Sequence, residues 1–325
     1  MSSGEAIQFG KVQRETCLLA LDKDENGLFD LLGQLSLAAP PVSVVPLVRD
    51  VRQPESLRRL FAEYRPEIIF HAAAHKHVPL MEANPAEAVL NNVFGTLNLV
   101  ELAEVFAAER FVLISTDKAV NSASVMGASK RLAELVVQTR ARDSRVRFGC
   151  VRFGNVLESR GSVIPLFKRQ IAAGGPITIT HPDVVRYFMT IPEAVHLILQ
   201  AGTLAARGEI YVLDMGDARR IVELARDLVE RSGLCPEKDI RLVTTGLRPG
   251  EKLWEELCGD AETLEDTAVA RLKVIRGRTP ARAELGRALA RLRLHCQRGD
   301  GDAVRRTLTQ LNLLAVSWRE QTPVA

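Results

Sequence analysis

The chain has 325 residues, 46% hydrophobic and 26% charged, with a net charge of +3, which is ordinary for a globular protein holding one large domain or two smaller ones. That charge gives no basis for a nucleic-acid partner, and the Arg-rich stretch after Arg271 reads as a solvated helix face. No apolar run approaches the ~20 residues of a membrane helix and no secretory signal is read; five scattered cysteines, Cys17, Cys150, Cys235, Cys258 and Cys296, lack metal-ligand spacing and point to reduced thiols in a cytoplasmic compartment.

The first sixteen residues carry no strong pattern. Strands are then expected at Leu18–Asp22, Val42–Leu47, Glu67–Ala73, Phe111–Ile114 and Val146–Phe153. Between them come helices at Asn26–Leu35, Pro54–Tyr64, Pro85–Phe106 and from near Gly127 to Arg142. Apolar strands alternating with helices of this length mean βαβ units and a mostly parallel, doubly wound sheet. Past Asn155 the rhythm loosens: helices at Val163–Ala173 and Pro192–Ala206 alternate with strands at Ile177–Thr180 and Ile210–Asp214. Two helical stretches, Pro280–Gln297 and Ala303–Ala315, close the chain. The expected organisation is a Rossmann-like cofactor domain over 1–160, a smaller α/β substrate-binding region over 161–277 with segments returning to the sheet, and a helical tail over 278–325.

Chemistry concentrates in FVLISTDKAVNSASVMGASK, Phe111 to Lys130. A strand ending in Ser115, Thr116, Asp117 and Lys118, then a helix, is how an open α/β sheet presents reactive groups at its carboxyl edge. Lys130 lies one helical turn past Met126, on the same face. Asp22 and Asp50 each follow a strand, where a dinucleotide's ribose and adenine would be met, although a turn acid explains either one alone. In His71-Ala72-Ala73-Ala74-His75-Lys76-His77, small residues allow a flat cofactor close approach. The basic crowding favours a phosphate or nicotinamide contact over a metal, since no carboxylate or thiolate completes a metal set. Asn91, Asn92, Gly95, Thr96 and Asn98 interrupt an apolar helix, either as packing or as support for the catalytic loop. Gly154-Asn155-Val156 and Ser159-Arg160-Gly161-Ser162 precede a helix, a setting that attracts phosphate. Arg186, Arg248 and Lys252, with Glu251 between the last two, add fixed cations on loops; each alone reads as a solvated charge run, but together with the arginine before Gly161 they suit a pyrophosphate.

Together these segments resemble the extended short-chain dehydrogenase/reductase superfamily, and within it the polysaccharide-biosynthesis group of UDP-N-acetylglucosamine 4,6-dehydratases, of the capsule and flagellin-glycan type. The matching words are HAAAHKHVPLMEANPAEAVLNNVFGT, FVLISTDKAVN, VMGASKRLAE, VRFGNVL, SRGSVIPLFKRQI, RYFMTIPEA and GLRPGEKLWEEL. Met126 stands where the superfamily has a tyrosine, as in a subgroup with a Ser/Thr-Met-Lys arrangement. The resemblance implies NAD or NADP as cofactor, a UDP-sugar substrate and a homo-oligomer; that subgroup is common in large membrane-anchored dehydratases, whose membrane helices are not read in this sequence, and the residues themselves suggest no metal.

The resemblance also assigns roles. Thr116, Asp117, Lys118, Met126 and Lys130 form the catalytic set. Asp22, Asp50, Val51, Ala72, Ala73, Lys76, Ser115 and Lys130 would contact the cofactor. Lys76, Asn155, Val156, Arg160, Gly161, Ser162, Arg186, Arg248 and Glu251 would contact the substrate. Lys118, with a lowered pKa, would remove the C5 proton of a 4-keto sugar, and Asp117, raised by burial, would protonate the leaving C6 hydroxyl. Removal of the C4 hydroxyl proton falls to Asp117, Thr116 or water.

Two departures are expected to matter. No strand with the glycine-rich G-x-x-G-x-x-G turn precedes Leu18, and Met1–Arg14 resemble only the end of the family's first helix. A gene start placed too late, a degenerate paralogue without cofactor, and a partner supplying the element are the competing explanations. Glu158 replaces a family glycine, and a carboxylate there would repel a phosphate. The rival functions are a related epimerase and a non-catalytic nucleotide-sugar-binding protein.

Overall fold

Apolar segments of four to eight residues pair into one sheet, and the amphipathic helices between them bury their apolar sides on its two faces. The computed structural model describes residues 6–12, 15–38, 42–260, 262–277 and 281–314. Strands β1 (Ala6–Val12) and β2 (Glu15–Asp22) lead to α1 (Glu25–Ala38), β3 (Ser43–Val48), α2 (Pro54–Tyr64) and β4 (Ile68–His71). Short helices α3 (Val78–Ala83) and α4 (Pro85–Val89) enter a π-helical turn, Leu90–Phe94, and then α5 (Gly95–Val105). Next come β5 (Arg110–Ile114), α6 (Val125–Ala141), β6 (Arg147–Arg152) and the short β7 (Asn155–Val156). The chain continues through α7 (Val163–Ala172), β8 (Ile177–Ile179), β9 (Val185–Arg186), β10 (Phe188–Met189), α8 (Ile191–Leu204) and β11 (Arg207–Leu213). It ends with β12 (Arg219–Arg220), α9 (Ile221–Arg231), β13 (Leu242–Thr244), β14 (Thr263–Asp266), β15 (Leu272–Arg276), α10 (Arg282–Gln297) and α11 (Gly301–Gln310).

The nine-stranded sheet runs β14-β15-β11-β6-β5-β4-β1-β2-β3. The pairs β2/β3, β4/β5, β5/β6 and β6/β11 are parallel, while β14 and β15 add an antiparallel edge. This is the α/β fold with a mostly parallel central sheet that the sequence pattern implies. One expectation fails. Residues 6–12 do not resemble the end of a helix; they form β1, which runs antiparallel between β2 and β4. Ala6 is in register with both Leu21 and His71. A gap there would leave two rows of backbone donors and acceptors unpaired, and a strand of either direction satisfies them. The alternation of Ile7 and Phe9 with Gln8 and Gly10 suits a strand. Residues 1–5 and 13–14 lie outside the described residues.

On one face, Leu57 and Phe61 of α2, Leu99 and Ala103 of α5, and Ala133 and Val137 of α6 pack on Leu19, Ile69, Phe111 and Phe148. On the other, Ala194, Leu197 and Ala201 of α8 cover Val112, Val151 and Tyr211. A separate cluster joins α7 and α9 to β8. The helical tail is held by Leu285 and Leu292 of α10 and Val304 and Leu308 of α11, which pack on Met81, Val93 and Leu132. Arg305 of α11 also bonds the Glu82 carboxylate at 2.5 Å, whose other oxygen accepts the Val125 backbone N–H at the start of α6 (2.7 Å). The helix expected at Pro85–Phe106 is broken by the π-helical turn, and its inserted residue turns Asn91 and Asn92 inward, where both are buried. Among the described residues no helix is long and apolar enough to cross a membrane.

A buried ionic cluster ties α6 to the sheet. Arg152 of β6, with 0% exposure, forks onto both oxygens of Glu134 at 2.8 Å and onto Glu262 at 2.7 and 3.0 Å. Glu134 also accepts from Ser115 Oγ (2.6 Å) and Arg131 (2.8 Å). Burial opposes the Glu134 charge, but Arg152, Arg131 and the Ser115 hydroxyl outweigh it and bring its pKa down to about 2. Removing one partner of a buried pair strands the other, which costs about 3–5 kcal/mol. Glu134→Ala should therefore lower the unfolding free energy by about that amount in urea titrations. The folded pKa lies below the ordinary 4.5, so the stabilisation is complete above that pH and is lost as pH falls towards 2. The variant's stability should change less over that window than the wild type's.

Candidate active site

The reactive segment is an extension of β5 past its formal end. Ser115 N–H donates to Val151 O (2.7 Å) and Asp117 N–H to Phe153 O (3.1 Å), so the ladder with β6 carries these residues out to the carboxyl edge. The chain then tightens into a 3₁₀ turn, Asp117–Ala119, capped by Thr116. Asp117 has 0% exposure. Its Oδ1 accepts from Thr116 Oγ1 (2.9 Å) and Lys118 Nζ (3.0 Å), and its Oδ2 has no hydrogen-bond partner among the described residues. A Cβ on Gly154 would crowd that Oδ2 and the Tyr187 side chain, which is why the strand partner carries glycine there.

Ser124 caps α6, accepting the Gly127 N–H at 3.1 Å. Gly127 rests against the Lys118 carbonyl so closely that a Cβ would overlap it. Met126 and Lys130 follow on the inward face, and Lys130 Nζ donates to Ile114 O at 2.6 Å, back at the end of β5. Burial lowers the Lys130 pKa to about 8, against the opposing charge of Glu134.

The histidine-rich segment divides. His71 is a core residue of β4: its Nε2 meets Thr96 Oγ1 at 2.9 Å, and burial, with Lys130 nearby, lowers its pKa to about 3. His75, Lys76 and His77 lie on the loop beyond. Asn92 holds that loop, accepting the His75 N–H (2.8 Å) and donating to the His75 carbonyl (3.0 Å) and to Ser129 Oγ of α6 (2.9 Å). Asn92 thus supports α6 and the loop after β4, not the Ser115–Lys118 segment itself. Asn98 instead donates to Val51 O (2.9 Å).

These elements surround a cavity of 660 Å³. Its wall includes Thr116, Lys118, Met126, Lys130, Ser115, Ala72 and Lys76 on the sheet side. Asn155, Val156, Gly161, Ser162, Arg186, Arg248 and Glu251 line the opposite side, and Ile191, Ala194, Val195, Ile198 and Leu199 of α8 add an apolar wall. Ser162 Oγ is buried there at the start of α7 with no hydrogen-bond partner among the described residues. Asp117 stands behind Lys118 rather than in the wall.

Several expected contacts lie elsewhere. Ala73 is buried, and Asp22, Asp50 and Val51 lie beyond the cavity along the same edge. Asp50 is taken up by Arg52 at 2.6–3.0 Å, and Val51 packs against Gly95. The Arg160 guanidinium turns away to Asp24 (2.9 Å) and Asp30 (3.6 Å) of α1, and only its carbonyl meets a site residue, Lys76 Nζ at 2.8 Å. Arg186 lines the cavity but donates to the carbonyls of Val185, Lys252 and Leu253, so it braces a loop instead of presenting an open fork. Glu158 does not face a ligand either. It adopts φ 59°, a backbone conformation that suits glycine, and pairs outward with Lys168 at 2.5 Å.

Lys118 overturns one expectation. Burial works against its ammonium, yet Asp117 and Glu255 outweigh that and Arg186, and its pKa is raised rather than lowered. Glu255, whose Oε1 is 3.5 Å from Lys118 Nζ, is a cavity residue that sequence reasoning missed. It sits inside the word GLRPGEKLWEEL, but nothing in that loop's spacing singles it out; only the fold brings it to Lys118.

The chain belongs to the polysaccharide biosynthesis protein family, whose model matches residues 6–276. It is 51% identical over 247 residues, 75% of this chain, to the capsular polysaccharide biosynthesis protein CapD of Staphylococcus aureus. It is 39% identical over 238 residues to a UDP-glucose 4-epimerase of Rickettsia canadensis, covering 72% of this chain and 67% of that one. The chain spans about two fifths of the length of the first curated relatives it matches, 41% and 36%. Among solved structures, Pen from Bacillus thuringiensis superposes with a TM-score of 0.73 at 31% identity, covering 81% and 80% of the two chains. DesIV, a dTDP-glucose 4,6-dehydratase from Streptomyces venezuelae solved with NAD bound, shares the fold (TM-score 0.64, 24% identity, 74% and 78% covered).

Gly127→Ala tests the packing of the reactive turn. Forcing a methyl against the Lys118 carbonyl should destabilise by about 1–3 kcal/mol, read by chemical denaturation. Gly33→Ala on α1, where a Cβ meets nothing within 4 Å, should lose no stability.

Proposed function

We propose that the chain carries the catalytic site of a nucleotide-sugar 4,6-dehydratase acting on UDP-N-acetylglucosamine in surface-glycan synthesis. The observation that carries this reading is the Lys118–Asp117 contact of 3.0 Å at the wall of the cavity. Exchange at C4 alone needs one proton site and a hydride acceptor; elimination across C5 and C6 needs a base and an acid as well, side by side.

The residues fit the nicotinamide end of a dinucleotide. Lys130 has one acceptor, Ile114 O, and an ammonium carries three donors. Lys130, Ser115 and Ala72 would hold the ribose and nicotinamide, with Asp22, Asp50 and Val51 further along the edge for the adenosine. When bound, the nicotinamide supplies oxidation at C4 and returns the hydride at C6. The rest falls to the chain. The unliganded pair is Lys118 ammonium and Asp117 carboxylate; moving one proton from Nζ to Oδ1 gives an amine and a carboxylic acid without changing the net charge. The amine then takes the C5 proton of the 4-keto sugar, the C6–O bond breaks, and the Asp117 proton, relayed through the Thr116 hydroxyl that lines the cavity, leaves with the hydroxyl as water; as the hydride reaches C6, the Lys118 ammonium returns a proton to C5. The C4 hydroxyl proton, which Met126 cannot accept, leaves by way of Thr116 to solvent, and a proton from solvent restores the Lys118 ammonium at the end of the cycle. Gly161 and Ser162 at the start of α7, with Arg248, would hold the diphosphate.

A second reading, a nucleotide-sugar-binding protein without cofactor, is favoured by one observation: β1 runs directly to β2, so among the described residues no helix follows it to receive a pyrophosphate. A C4 epimerase is the nearest enzymatic rival.

Absorbance and mass spectra of the purified protein should reveal a bound nicotinamide; its absence, with no turnover on added NAD or NADP, supports the second reading. With UDP-N-acetylglucosamine in deuterated water, the wild type should place deuterium at C5 and Lys118→Ala should slow this by about 10²–10⁴-fold. Unchanged exchange in the variant removes Lys118 from the role, and a product epimeric at C4 with no C5 deuterium selects the epimerase.

A further inference from the structure

We propose that Glu255 is a positioning residue for Lys118, closing the ammonium's third side and fixing the amine where the C5 proton is taken. This rests on the reading of Lys118 as that base.

The geometry around Nζ is the first support. Three oxygens surround it: Asp117 Oδ1 at 3.0 Å, Asn155 Oδ1 at 3.4 Å and Glu255 Oε1 at 3.5 Å. The first two are hydrogen bonds, and the Glu255 carboxylate closes the remaining side of the ammonium as an ion pair. Asp117 comes from the turn after β5, Asn155 from the start of β7, and Glu255 from the loop between β13 and β14.

The second support is the state of the carboxylate. Glu255 has 6% exposure and lines the cavity, with Oε2 buried and without a hydrogen-bond partner among the described residues. A buried carboxylate oxygen left unpaired is costly, and stability alone does not explain it. The neighbouring Glu251 differs: it accepts from Thr180 Oγ1 (2.8 Å) and from the Arg248 N–H (3.1 Å), bonds that shape its own loop.

The third support is that the loop is built to deliver Glu255. Arg186 donates to the Lys252 and Leu253 carbonyls, Lys252 Nζ to Val120 O (3.1 Å), and Asn121 Nδ2 to Glu256 (2.6 Å). The last two bonds fasten the loop to the segment that carries Lys118.

The charged groups facing Glu255 are Lys118, Asp117, Arg186 at 3.8 Å, and Lys252. Those facing Lys118 are Asp117, Glu255 and Arg186. Neutralising Glu255 leaves Arg186 less opposed beside Lys118, so the amine should lose its proton more readily.

The test follows Lys118 directly in protein labelled with ¹³C at lysine Cε, its signal assigned by its loss in Lys118→Met. Glu255→Gln should lower the Lys118 titration midpoint by about 1 unit, within the usual effect of one close opposite charge. The same variant should move the acid limb of the kcat profile to lower pH. Glu265→Gln, whose exposed carboxylate pairs with Arg276 at the sheet edge, should leave the Lys118 midpoint in place. An unmoved midpoint in a folded Glu255→Gln overturns the proposal. Should that variant not fold, Glu255→Asp asks the same question: withdrawing the carboxylate by one methylene must lower the midpoint by a smaller amount, and no change overturns it. A shifted midpoint in a protein without dehydratase turnover would keep the positioning role and remove the reaction. Turnover with an unshifted midpoint would do the reverse.

Discussion

Everything at the carboxyl edge depends on how α6 is set against the sheet, and one carboxylate decides that. Glu134 reaches from the helix into the interior and is met there by Arg152 of β6 and Ser115 of the β5 extension. Those bonds fix the helix in rotation and in height at once. With Glu134 fixed, Lys130, one turn earlier, falls on Ile114 O, and Met126, a further turn back, falls on the cavity wall. The arrangement is expensive in desolvation, and an apolar contact of equal size would hold the helix as firmly. What the ions add is direction: a forked guanidinium accepts a carboxylate in few orientations.

On the proposed reading, the Asp117–Lys118 contact stores an acid and a base as an ion pair. Lys118 and Asp117 are neighbours in a 3₁₀ turn, with Nζ 3.0 Å from Oδ1. Low dielectric strengthens their attraction and keeps the ammonium charged. The useful forms, amine and acid, are one proton shift away. A substrate that brings developing negative charge to C4 would change the balance among these groups without moving the backbone.

Much of this was legible before any coordinates. Period-two and period-3.6 patterns located most strands and helices to within a few residues, because each buries one face against the same sheet. The carboxyl-edge residues Ser115 to Lys118 could be read because a strand end and a helix start bracket them. What escaped has a physical cause in each case. The π-helical turn leaves no period to detect. Arg160, Arg186 and Glu158 carry charges that suit a phosphate, but their partners, Asp24, three loop carbonyls and Lys168, are set by tertiary contacts. Glu255 lies in a loop without regular spacing. The first strand was missed because its alternation is short, Ile7 and Phe9 against Gln8 and Gly10.

The tail carries a mechanical consequence. Arg305 of α11 grips Glu82, and Glu82 holds the Val125 N–H at the leading end of α6. Both α10 and α11 lie past residue 276, where the family match ends. They are an abutment for the helix that bears Met126 and Lys130: thrust on the mouth of that helix is carried through two side chains into a bundle outside the family's shared frame. The alignment of the reactive groups is thus shared between an inherited sheet and a local buttress.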